Sequence, residues 1–92
     1  MTERNTYNGW TNYATWRIQL EIFDGMNLAE WNLDRFDIFE LADWLKEYAG
    51  EVIEQTSTPG LARDYAMAFL ADVNWGELAK AMNDAAQEEL DV

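Results

Sequence analysis

Between Asp34 and Gln55 the apolar residues Ile38, Leu41, Ala42, Leu45, Tyr48, Ala49, Val52 and Ile53 recur every three or four positions. At about 100° per residue they fall on one side of a helix, and a strand would scatter them over both faces. The stripe therefore predicts an amphipathic helix from about Arg35 to Gln55, with Asp34 as N-cap and Asp37 three residues on, near the positive end of the dipole. Gly50 lies inside the pattern and costs about 1 kcal/mol relative to Ala in a helix interior, which marks it as the place for a bend. A helix striped in this way needs apolar partners. The chain supplies them, with 49% hydrophobic residues, among them five Trp, four Tyr and four Phe.

The flanking segments read in the same period. Residues 1–11 are polar, contain the turn dipeptide Asn8-Gly9, and form an arm or loop pinned by Tyr7 and Trp10. Asn12 is suited to N-cap a first helix carrying Tyr13, Trp16, Leu20 and Phe23, with Gly25 as its left-handed stop. Asn27 and Glu30 stand in capping-box register and predict one or two short turns. Thr58 and Pro59 suit the N-cap and first position of a third helix that turns Leu61, Tyr65, Ala68 and Phe69 inward and ends near Asp72. Asn74 and Glu77 have capping-box spacing at the start of a fourth helix, with Val73 and Leu78 as its hydrophobic staple. Leu78, Met82 and Ala85 continue its apolar side, and residues 87–91 are expected to fray.

No segment alternates with a period of two for long enough to read as a strand; the best, Arg17 to Phe23, also fits a helix. The expected fold is all-α, a single small acidic domain of about four helices over residues 1–92, with no repeat and no linker. No apolar run approaches the roughly 20 residues of a membrane span, and Met1 to Asn5 lack a signal peptide's apolar stretch. A cytoplasmic protein is expected.

Composition removes most chemistry. The chain has no His and no Cys, so it cannot build a Ser-His-Asp or Cys-His nucleophile, an imidazole or thiolate metal site, or a disulfide. It also lacks a calcium loop, a Gly-rich phosphate loop and a Gly-x-Ser-x-Gly elbow. No catalytic residue, cofactor or metal is expected, and an enzyme is excluded as the leading reading. Eighteen Asp plus Glu against six Lys plus Arg give a net charge of −12, which repels nucleic acid and anionic lipid and attracts basic partners.

Much of that charge gathers opposite the apolar stripe. Asp37, Glu40, Asp43, Glu47, Glu51 and Glu54 share a sector of about 120° on the second helix, in a row about 25 Å long. Trp44 is set among them as the expected exposed anchor, while Lys46 and Arg35 fall outside. Glu77, Asp84, Glu88 and Asp91 form a second, weaker row on the fourth helix, interrupted by Lys80. Like charges three or four apart oppose the helix by about 0.2–0.5 kcal/mol per pair. An acidic outer face can serve solubility alone. Ordinary soluble faces, however, interleave Lys and Arg with Glu, and this one does not. The row resembles, more sparsely, the phosphates of a duplex, spaced about 1.7 Å apart along the axis. Trp16 and Trp75 are assigned to the core, and Arg17, Arg35 and Arg63 to pairing with nearby acids.

The segments Tyr7-Asn8-Gly9-Trp10-Thr11-Asn12-Tyr13-Ala14-Thr15-Trp16 and Val73-Asn74-Trp75-Gly76-Glu77-Leu78-Ala79 resemble a family of small acidic proteins encoded on bacteriophages, plasmids and other mobile elements. Its members read N-G-W-x-N-Y-x-T-W near the start and V-N-W-x-E-(L/I)-A near the end. The likeness covers about a fifth of the chain and departs from the family at Ala14, where an acid is common. It implies a mobile-element setting rather than an activity, one shared by anti-CRISPR and antirestriction proteins. Within it, Gly9 looks like a turn, Asn12 a cap and Trp16 core, so the motifs serve the fold and the acidic row serves the target.

The resulting expectation is a non-enzymatic inhibitor of a bacterial defence complex, a CRISPR effector or a restriction enzyme. Asp37, Glu40, Asp43, Trp44, Glu47, Glu51 and Glu54 would occupy its Lys/Arg-lined nucleic-acid site, with no direct contact to nucleic acid or membrane. The alternative is a structural or assembly protein that buries its aromatics in a homodimer or a phage or host complex.

Overall fold

Asn12 starts the first helix as its spacing predicts. Its Oδ1 accepts from the Thr15 amide at 2.9 Å and from the Thr15 hydroxyl at 2.7 Å, which satisfies one of the helix's unpaired donors. The computed structural model describes residues 9–90, with side chains as far as Gln87; Tyr7 and most of the expected arm lie outside the described residues. The helix α1 runs Tyr13–Ile18 and widens into a π-helical segment, Gln19–Phe23, before Gly25 at φ +82° reverses the chain.

The widening changes which residues face inward. An α-turn would leave Phe23 about 140° from Ile18, and the wider π-turn brings it back toward the same side. Ala14, Thr15, Ile18 and Phe23 are buried, whereas Tyr13 and Leu20 are exposed and Trp16 is only half-buried. The expected inward set of Tyr13, Trp16 and Leu20 is thus corrected, and Trp16 does not belong to the core.

Residues 24–37 hold a helix-like turn over 27–32 and a tighter one in which the Phe36 amide donates to the Leu33 carbonyl at 3.1 Å. The Asn27 Oδ1 accepts from the amides of Ala29 and Glu30 at 2.9 and 3.2 Å. Asn32, left-handed at φ 61°, closes the turn, and the amide of Leu33 reaches the carbonyl of Leu28 at 2.8 Å. This is a Schellman closure, and it drives Leu28 and Leu33 into the core together.

The central helix α2 covers Ile38–Thr56. It begins three residues later than the sequence suggests because Asp37, not Asp34, is the N-cap. The Asp37 carboxylate accepts from the Glu40 amide at 2.8 Å, and the Glu40 carboxylate accepts from the Asp37 amide at 3.0 Å. That reciprocal pair satisfies two donors at once. Leu41, Leu45 and Ala49 are fully buried, with Ile38, Ala42, Tyr48 and Ile53 packed beside them. The helix passes through Gly50 without interruption.

Helix α3, Leu61–Leu70, starts after Gly60 at φ +151°, so Thr58 and Pro59 belong to the connection and not to the helix. Its docking side is also corrected. Leu70 is buried and Phe69 half-buried, whereas Leu61, Tyr65 and Ala68 face outward, Leu61 and Tyr65 with 67% and 69% of their surface exposed. Arg63 explains the orientation. Its guanidinium donates to the carbonyls of Glu54 and Ser57 at 2.7 and 2.6 Å and to the Ser57 hydroxyl at 3.1 Å. The last turn of α2 has no basic residue of its own; Arg63 meets the Glu54 carbonyl there, and the Thr56 and Ser57 hydroxyls donate to the carbonyls of Val52 and Ile53. Anchoring Arg63 there turns Leu61 and Tyr65 to solvent.

Helix α4, Trp75–Leu90, makes the most extensive pairing with α2, and α3 packs on α2 from another side. Val73, Leu78 and Ala79 are buried in the same core as Leu41 and Leu45. All regular elements among the described residues are helical, giving a small all-α fold, and none of these helices is long and apolar enough to cross a membrane.

Candidate functional site

Two polar arrangements stand out, and their chemistry differs. The first joins the start of α1 to the start of α4. The Asn12 Nδ2 donates to the Asp72 carbonyl at 2.9 Å, and the amide of Asn74 donates to the hydroxyl of fully buried Thr15 at 2.9 Å. The Thr11 amide donates to both carboxylate oxygens of Glu77, at 3.0 and 3.2 Å. The Asn74 Oδ1 caps α4 through the Glu77 amide at 3.0 Å. The expected Asn74–Glu77 capping box is therefore half formed, because Glu77 turns its carboxylate to Thr11 instead of back to Asn74. Every group in this clasp has a partner within the molecule, which makes it a structural joint.

The second arrangement is the outer side of α2. Asp37, Glu40, Asp43, Glu47, Glu51 and Glu54 are all exposed. Asp37 and Glu40 are engaged in the capping box, so their first role is to start the helix. Asp43, Glu47, Glu51 and Glu54 form the open part of the row, at intervals of four, four and three residues. None of them has an ion pair among the described residues, where the pairs formed are Arg17–Glu21 at 3.2 Å and Lys80–Asp84 at 2.8 Å. Lys46 stands beside the row without closing on it. Four carboxylates over about 16 Å stand about 5.5 Å apart along the axis, roughly a third of the linear density of duplex phosphates.

The structure adds a neighbour to this row. Asp43, Glu47, Glu51 and Glu54 line one wall of an open groove of about 700 Å³. The facing wall is Met67, Leu70 and Ala71 from α3 and its end, and Gly50 lies where a Cβ would come within 3.7 Å of the Met67 methyl. Phe39, eleven positions before Gly50 and on the same side of α2 to within about 20°, is 82% exposed. The sequence signal for Phe39 was its absence from the apolar stripe of its own helix. The facing wall had no local signal, since it depends on how α3 docks.

Trp44 is corrected as the exposed anchor. Its ring stacks on Tyr48 at 5.0 Å and 8°, and Trp31 meets it edge-on at 5.9 Å. Trp44 is half-buried, and Trp31 carries the greater exposure, 43%. Trp75 packs against the core as expected. Of the three arginines assigned to acids, Arg17 pairs with Glu21. Arg35 instead donates to the Asn32 carbonyl at 3.1 Å and lies over the Phe36 ring at 4.7 Å, and Arg63 caps α2. Of the second acidic row, Glu77 is held by Thr11 and Asp84 is paired with Lys80, while Glu88 and Asp91 lie outside the described side chains. No group of three or more carboxylates among the described residues is arranged to hold a metal ion.

Comparison of the chain with protein-family models, curated proteins and solved structures finds no match.

Proposed function

We propose that this chain is a non-enzymatic binding protein that sets the acidic side of α2 against a Lys/Arg-lined nucleic-acid site on a bacterial defence complex, a CRISPR effector or a restriction enzyme. The observation that carries this reading is that Asp43, Glu47, Glu51 and Glu54 stand exposed and unpaired on one side of one helix. A row of this kind raises the encounter rate with a basic site and blocks its ligand, and salt weakens it. The resemblance of the Asn8–Trp16 and Val73–Ala79 segments to mobile-element proteins supplies the setting, the cytoplasm of the host cell. Asp37 and Glu40 add negative charge to the end of the row.

The test is protection of incoming phage DNA in cells carrying one defence system at a time. The unaltered chain is expected to restore plaque formation against at least one system. The D43N/E47Q/E51Q/E54Q variant is expected to lose that protection with its helicity intact. Protection by the variant equal to that of the parent would reduce the row to a solubility feature. A second reading, an assembly protein, is favoured by the outward Leu61 and Tyr65. Sedimentation separates them: a tight, salt-insensitive homodimer belongs to the second reading, and a monomer that competes with DNA for a basic partner to the first.

A further inference from the structure

We infer that the groove between α2 and α3 receives a basic amphipathic helix of the partner protein, its Lys/Arg side chains on the Asp43–Glu54 wall and its apolar side on Met67 and Ala71. The inference rests on the reading above and specifies which element of the partner is bound. A flat basic surface made for phosphates has no use for an apolar wall beside the charges. Here the two walls have opposite chemistry: the acidic one runs for about three turns of α2, and Met67 to Ala71 face it over about one turn. Carboxylates spaced four, four and three along α2 repeat with the helical period, so an adjacent helix with cations three or four apart can meet each of them. Met67 is partly exposed and Ala71 exposed at the facing wall, which is the helix-in-groove form of recognition, with apolar anchors beside a charged edge.

Phe39 is independent support. It is the most exposed large apolar side chain among the described residues, and its position on α2 puts it on the same side as Gly50 to within about 20°. A face kept only for solubility would not place it there. Charge decides among occupants. A second copy of this chain carries the same −12 and would bring carboxylates against carboxylates, whereas a basic segment is attracted. Lys46, also at the groove, sets a limit: a cation of the partner is disfavoured beside it, so the partner's basic edge should lie toward Glu47, Glu51 and Glu54.

The probe is a synthetic 15-residue, helix-stabilised peptide with Lys at spacings of four, four and three and Leu along the adjoining side. Its control has the same composition in an order that breaks the apolar side. Fluorescence anisotropy at physiological salt is expected to show the ordered peptide binding at least tenfold tighter than the control. Equal affinities would overturn the inference. Met67→Glu adds negative charge, so attraction by charge alone predicts binding unchanged or tighter. The inference instead predicts at least a tenfold loss for the ordered peptide. Ala71→Glu carries the same expectation and replaces Met67→Glu if that variant's circular dichroism departs from the parent's.

The plaque assay separates the two levels. Protection lost in D43N/E47Q/E51Q/E54Q but retained in both Met67→Glu and Ala71→Glu would leave the acidic row as the functional surface and overturn the groove. Protection retained in all three variants would remove both. Concentration-dependent dimerisation abolished by Met67→Glu would make a second copy the occupant and overturn the inference.

Discussion

The clasp between α1 and α4 and the outer side of α2 are both polar and both rich in Asn, Asp or Glu, yet they are built on opposite terms. In the clasp, Thr11, Asn12, Thr15, Asp72, Asn74 and Glu77 answer one another across some sixty residues of sequence. On α2, the carboxylates of Asp43, Glu47, Glu51 and Glu54 have no ion pair among the described residues, and the apolar side chains beside them stay uncovered. Polar groups that are fully partnered stabilise a fold, and charges left together without partners oppose it. The two regions therefore separate what holds this protein together from what it offers to another.

The sharpest way to break the comparison is to treat Thr15 as an ordinary core residue. Thr15→Val keeps the shape but removes the hydroxyl that accepts from the Asn74 amide and donates to Asn12. The Asn74 amide is then left without its partner, at a cost of about 1–3 kcal/mol. Urea denaturation should show a lower midpoint with an unchanged slope. A midpoint equal to the parent's would mean that the clasp is not what fixes α4 against α1.

The converse variant addresses the other region. D43N/E47Q/E51Q/E54Q removes four neighbouring repulsions along α2, Glu40–Asp43 included, and Glu54 in addition stands in the last turn, where the negative end of the dipole disfavours it. Stability is expected to rise by about 1 kcal/mol at low ionic strength and to match the parent's at about 1 M salt. A fall in stability would show that these carboxylates serve the fold, and the contrast with the clasp would collapse.

This division also explains what could be read before the fold was seen. The stripe Ile38 to Ile53 and the caps Asn12 and Asn74 are local signals, spelled out within one or two turns, and each appears where its spacing places it. The start of α2 at Asp37 was also spelled out locally, since Glu40 stands three residues on in capping-box spacing and Asp34 has only Asp37 there; residue type alone makes the two aspartates equal. The inward side of α3 differs for another reason, with Phe69 alone of the expected set packed on the core. A ten-residue helix with apolar residues at Leu61, Tyr65, Met67, Phe69 and Leu70 has several possible stripes. The choice was made by Arg63 reaching the end of α2, a tertiary contact. The acids of the candidate site were legible as a row because one helix carries them all. Their groove was not, because its facing wall depends on that same docking.

The smallest effect is expected at Leu61 and Tyr65, where the sequence pattern alone would place a core. Leu61→Ser and Tyr65→Ser remove large apolar side chains from positions that are two-thirds exposed. Each should change the thermal midpoint by no more than about 0.5 kcal/mol allows. In a monomer these residues bury too little for their loss to register. If they instead formed the face of a homodimer, the parent's stability would rise with protein concentration, since association adds to the folded state by mass action. That dependence would vanish in the serine variants. A concentration-independent midpoint, shared by parent and variants alike, would leave α3 with one functional edge, the one that turns Met67 toward the acids of α2. A concentration-dependent midpoint lost on substitution would move the interaction surface to the opposite side of the same helix and favour the assembly reading.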